Sequence, residues 1–162
     1  MVNEQSLSIR IGPVKTADEL TSLFRSRGRK VTAQRQCIFR VLQGDETHPS
    51  ADVVYARARG EMETISLKTV YQTLNELAAL GEVSALDVGT GTTRFDPNVE
   101  VGHHHLVCRS CGKVRDLHAD FSFLKVPTGA EEGFELGGAE VVFRGQCSEC
   151  LGSGASQPFQ AS

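Results

Sequence analysis

Cys108/Cys111 and Cys147/Cys150 form two Cys-x-x-Cys pairs, and His103, His104 and His105 stand just ahead of the first. A Cys-x-x-Cys turn points two thiolates at one place. Two such turns supply the four soft ligands of a closed tetrahedral zinc site, with Zn–S near ~2.3 Å. Unligated thiols or disulfides are the alternatives, but both pairs have ligand spacing, and Met1 to Pro13 lacks the charged-then-apolar pattern of an exported chain. His103 and His105, two apart on a predicted strand, face the same side and are candidates for a second, harder metal. His104 then faces the other way, toward solvent or behind a ligand. Cys37, within the helical stretch Gln34 to Phe39, reads as a small buried apolar residue rather than a reactive thiol.

The frame that must position these residues is small. A chain of 162 residues, 40% apolar and 23% charged, is one domain or two small ones short of core, for which a structural zinc is a suitable staple. No apolar run approaches the ~18–20 residues of a membrane span, so no membrane partner and a cytoplasmic location are expected. The net charge of -3 argues against a generally basic coat. Arg25, Arg27, Arg29, Lys30, Arg35 and Arg40 nevertheless follow one another with no acid between them, which is a footprint for phosphate or a solvated helix face.

Four helices are predicted. Ala17 to Arg27 has Leu20, Leu23 and Phe24 at helical spacing and stops at Gly28. Thr32 caps a second helix with Ile38, Val41 and Leu42 on its apolar face, and Ser50, after the His48-Pro49 break, caps a third. A fourth runs from Ser66 through Val70, Leu74, Leu77 and Leu80 to Gly81. Val83–Val88 and Thr92–Phe95, separated by Gly89-Thr90-Gly91, then read as a hairpin. Helices, turn and hairpin together make a winged helix-turn-helix, in which Ser66, Lys68, Thr69, Tyr71 and Gln72 lie where recognition helices touch base edges. Similar helical arrangements also serve as protein-binding modules. Beyond a linker at Asp96-Pro97-Asn98, strands are predicted at His105–Cys108, Lys113–Leu117 and Ala139–Gly145. Pro127, Gly129, Gly133, Gly137 and Gly138 argue against a long helix over 120–138.

The chain from about Leu20 to Cys150 resembles the ferric-uptake-regulator (Fur) family of metalloregulatory repressors. The resemblance rests on Arg29-Lys-Val-Thr-Ala-Gln-Arg35, His48-Pro-Ser-Ala-Asp52, Ile65-Ser-Leu-Lys-Thr-Val-Tyr-Gln-Thr-Leu74, Arg94-Phe-Asp96, His103-His-His-Leu-Val-Cys-Arg-Ser-Cys-Gly-Lys-Val114 and Cys147-Ser-Glu-Cys150, all in the family's order. It implies an α+β chain: a disordered arm (1–16), a winged-helix DNA-binding domain (17–96), an αβ dimerisation domain with structural zinc (97–151) and a disordered tail (152–162). It also implies a homodimer on a palindromic double-stranded operator.

By the same resemblance, Cys108, Cys111, Cys147 and Cys150 hold structural zinc, and His48, Asp96, His103, His105 and Asp116 hold a regulatory Fe(II) or Mn(II). Three imidazoles and two carboxylates without a thiolate suit those ions better than zinc. Aspartate at both carboxylate positions matches the family's peroxide-sensing branch, in which Fe(II) reacts with peroxide and a ligand imidazole, here His48 or His103, is oxidised. The alternative is an iron, zinc or manganese uptake regulator using the metal as corepressor. The spacing over Pro97 to Gly102 is closer to that of iron-sensing members, and Ala139-Glu140 replaces a histidine needed for a full third site. Lys30 and Arg35 carry over as DNA contacts, whereas Gln72 stands where many iron-sensing members have arginine. A zinc-dependent enzyme is the other class. It is not expected, because a Cys₄ site has no open position and the chain has no nucleophile elbow or phosphate loop.

Overall fold

The computed structural model describes residues 15–87, 89, 91–99, 103–136 and 139–153, in two compact units, Met1–Val101 and Gly102–Ser162. Most of the expected arm (1–14) and tail (154–162) lies outside the described residues, as do Val88 and Thr90 of the hairpin.

The first unit contains α1 (Ala17–Ser26), α2 (Ala33–Leu42), α3 (Ala51–Glu61), α4 (Leu67–Ala79), β1 (Ser84–Leu86) and β2 (Arg94–Asp96). Each helix starts where a hydroxyl accepts an otherwise orphaned backbone N–H: Thr16 from Glu19, Thr32 from Arg35, Ser50 from Val53 and Ser66 from Thr69. Thr16 and Glu19 form a reciprocal capping box, and Lys15 reaches Glu82 at 2.9 Å. These two residues of the expected arm therefore belong to the first unit. Phe24, Ile38, Phe39, Leu42, Val54, Val70, Leu74 and Leu77 make the shared core. Leu74 is fully buried on the inner face of α4, so Leu74→Ala is expected to cost ~2–5 kcal/mol. A lower denaturant midpoint at unchanged slope is the check.

β1 and β2 pair antiparallel, Ala85 opposite Phe95, and form a shorter wing than the sequence predicts. A bridge from Ser50 to Arg94 and a 3.0 Å bond from Phe95 N to Pro49 O tie its return strand to the start of α3. That tie places Pro49 and Asp96 in one corner.

The second unit is a three-stranded sheet of order β4-β3-β5, followed by a short helix. β3 (His103–Cys108) runs antiparallel to β4 (Val114–His118) and parallel to β5 (Val142–Gly145), and α5 spans Ser148–Gly152. The stretch 121–136 contains turns and no helix, as its prolines and glycines predict.

Candidate metal centres and nucleic-acid interface

The parallel pairing of β3 with β5 sets Cys108 opposite Gly145, two residues before Cys147. Gly112, with φ 70°, closes the first Cys-x-x-Cys turn by donating its N–H to Cys108 O at 2.9 Å. Cys147 caps α5 and Cys150 lies one turn into it. The four Sγ atoms consequently gather within 4.8 Å of one another, Cys111 and Cys147 3.7 Å apart. A tetrahedron with ~2.3 Å Zn–S bonds has sulfurs ~3.8 Å apart, so the cluster has the size and the chemistry of a structural zinc site.

The thiols' acidities point the same way. Burial works against the Cys108 thiolate, yet N–H groups of Cys147, Cys111 and Ser110 outweigh it and hold the group down at about 6. Hydrogen bonds with the Cys111 and Cys147 sulfurs push Cys150 up to about 12. Four thiols this close cannot all ionise against one another, and a divalent cation removes that conflict.

In each unit, taken by itself, an imidazole also lies beside a carboxylate. In the first, His48 and Asp96 are both 1% exposed, with Nε2 3.4 Å from Oδ2. His48 sits in the left-handed region at φ 51°, ahead of Pro49, a conformation that costs a non-glycine residue free energy and often marks a functional position. Asp96 Oδ1 accepts the Asn98 N–H at 2.8 Å, which fixes the carboxylate. In the second, His105 lies opposite Asp116 across the β3–β4 ladder, with Nε2 3.9 Å from Oδ1. The His103 ring stands edge-on to that of His105 at 5.0 Å, on the same face, as their spacing predicts.

Of the two places expected for His104, toward solvent or behind a ligand, the structure excludes the first. Its ring faces the opposite side, as alternation requires, but is only 6% exposed. Its Nδ1 accepts the Val141 N–H at 3.2 Å and Phe121 packs edge-on at 4.8 Å. Segments distant in sequence cover that face. Glu140, a residue the sequence marked only for the histidine it replaces, lies with Oε1 2.9 Å from His105 Nδ1. Cys37 is buried as expected, its thiol 3.6 Å from Ala58 O and pushed up by burial and Glu61.

On α4 the inner face is Val70, Thr73, Leu74 and Leu77, leaving Lys68, Tyr71 (43% exposed) and Gln72 outward. Ser66 Oγ lies 2.9 Å from Thr69 Oγ1 at the helix start. Lys30 is exposed, whereas Arg35 is engaged inside the unit. Its guanidinium bonds Glu76 and Lys30 O and sits over the Phe24 ring at 5.4 Å. Arg29 meets the same Glu76 at 2.8 Å, so two cations brace α4 from one carboxylate.

A sequence model of the ferric uptake regulator family matches residues 26–143. The peroxide-responsive repressor PerR of Staphylococcus aureus strain USA300 is 31% identical over 134 residues, 82% of this chain and 90% of that one. Its Staphylococcus saprophyticus counterpart is 38% identical over 101 residues, covering 62% and 67%. Among solved structures, a zinc-bound manganese uptake regulator superposes with TM-score 0.66 at 29% identity, covering 82% of this chain and 99% of that one. A ferric uptake regulator from Pseudomonas aeruginosa with manganese gives 0.59 at 31%, covering 79% and 97%.

Proposed function

Because this chain belongs to the ferric uptake regulator family, we propose that it is a homodimeric, metal-dependent repressor that senses peroxide through Fe(II)-catalysed oxidation of a ligand histidine. The observation that carries the regulatory site is the same in each unit: a buried imidazole faces an aspartate, His48 with Asp96 and His105 with Asp116. Held on one ion together with His103, they would make an oxygen- and nitrogen-only donor set that fits Fe(II) or Mn(II). Ligands drawn from both units let one ion favour the arrangement in which two recognition helices meet a palindromic operator, which is corepression by population shift. Fe(II) held by these residues would supply the redox chemistry by which hydrogen peroxide gives one oxygen to an imidazole and leaves as water, a net two-electron oxidation of the ring. His48 and His103, each attached to a different unit, are the groups whose modification uncouples the units and releases DNA. The two aspartates and the PerR relatives support this subtype.

Lys30, Ser66, Thr69, Tyr71 and Gln72 are the proposed DNA contacts, and Arg35 acts by holding α4 through Glu76. The dimer reading is supported by the sheet of the second unit. Leu106 and its cross-strand neighbour Phe143 remain 40% and 46% exposed, an apolar face suited to a second copy. Among the described residues no helix is long and apolar enough to cross a membrane.

An uptake regulator with the metal as simple corepressor is the second reading, favoured by the likeness to the manganese-bound and manganese uptake regulators. Zinc-loaded protein given Fe(II) or Mn(II) separates the two. Brief peroxide is expected to remove the Fe(II) form from DNA and add one oxygen to the His48 or His103 peptide, sparing the Mn(II) form. Retention on DNA with unmodified histidines selects the uptake regulator.

A further inference from the structure

We propose that Glu140 is a positioning residue for His105, fixing which ring nitrogen faces the regulatory metal; the inference rests on the metal site proposed above. The geometry begins with β5. His105 N donates to Val141 O at 3.0 Å, and Val141 N donates to His104 Nδ1 at 3.2 Å, so the residue next to Glu140 is clamped against β3 from both sides. Glu140 is thereby carried to the face of His105, where its Oε1 comes within 2.9 Å of Nδ1. The imidazole is 2% exposed, while the Glu140 side chain is half exposed, so the carboxylate closes the outer edge of a buried ring.

A carboxylate oxygen at that distance accepts a hydrogen bond from Nδ1–H. The lone pair is then left on Nε2, the nitrogen that faces Asp116. An imidazole held in this way is pre-set in tautomer and ring angle, and the anion behind it makes Nε2 a stronger donor to a cation. The site therefore gains a third carboxylate that acts through a ligand.

The test uses the full-length zinc-loaded protein and Mn(II) as probe. Glu140→Ala is expected to weaken Mn(II) binding ~10–100-fold while leaving the bound zinc and the circular dichroism unchanged. Glu140→Gln, whose amide oxygen still accepts from Nδ1, is expected to recover part of the loss. Long-range ¹H–¹⁵N spectra of the protein without Mn(II) should place the His105 proton on Nδ1 in the wild type and move it in Glu140→Ala, a change that a merely structural role does not produce. Unchanged Mn(II) affinity in Glu140→Ala, or a wild-type His105 protonated on Nε2 alone, overturns the inference. If the wild type takes up no second ion, the regulatory-site reading fails, and the tautomer still decides for or against Glu140.

Discussion

Replacing Cys147 with serine is expected to strip the chain of zinc and unfold its second unit, with loss of dimer and of DNA binding. The sheet consists of three short strands, and its buried apolar residues are few: Val107, Cys108 and Val114. Phe123, Phe134 and Leu136 are 71%, 75% and 55% exposed, so burial contributes little there. Structural zinc supplies ~10–16 kcal/mol of apparent binding free energy in small zinc domains, far more than this core provides. A serine hydroxyl is a harder and much weaker donor than a thiolate, and three sulfurs leave one corner of the tetrahedron open. Metal analysis, size-exclusion chromatography and NMR dispersion together read the outcome; a variant that keeps one zinc and a single cooperative melt refutes it. The helical signal of the first unit should survive, because its core draws on α1 to α4 with Ile65, Val83 and Phe95, all within that unit. The wild type should also release zinc on acidification. Binding requires all four thiols to lose protons, Cys150 from about 12, so protons compete with zinc increasingly as pH falls.

The second large effect concerns His48. His48→Asn is expected to lower affinity for the second ion by at least ~100-fold, since losing a mere supporting residue already costs ~10–100-fold. Asparagine is the appropriate substitution because it tolerates the left-handed φ of 51°, whereas alanine adds backbone strain to the loss of a ligand. Zinc content should stay at the wild-type value. Metal-dependent operator binding should vanish in a gel shift, and peroxide should no longer affect DNA binding. Retention of an Mn(II)-dependent shift in this variant would falsify the role of His48.

Which of these features the sequence discloses depends on how far apart the interacting residues are. Thr32, Ser50 and Ser66 are legible as caps because a cap is satisfied within three residues, and Gly28 and Gly81 are legible as stops because their φ values of 66° and 71° suit glycine. The Cys₄ centre is legible because Cys-x-x-Cys spacing is itself the ligand geometry. The burial of His104 and the Glu140–His105 contact are not, since both depend on β5 joining β3 in parallel across more than thirty residues of irregular chain. No local pattern specifies that register. Arg35 likewise reads as a DNA contact in its basic stretch, and only the packing of α2 on α4 reveals Glu76 as its partner. His48 occupies an intermediate position: its proline marks a turn, but its burial follows from the wing folding back on Pro49.

β3 begins with His103 and His105 and ends with Cys108, so one strand carries the proposed ligands of both metals, with Cys108 three positions, ~10 Å, beyond the last imidazole. This shared strand imposes an order in time. Before the thiolates close on zinc, only the hydrogen bonds of the short β3–β5 ladder and a few side-chain contacts hold β5 beside β3, so Glu140 and Val141 are less firmly held behind the histidines. On the proposed function, a newly made chain is expected to acquire its metals in sequence, zinc first. If the proposed function holds, the consequence is a hierarchy of nutrients: a cell starved of zinc is expected to lose its response to the second ion, and with it any response to peroxide, however much iron it holds.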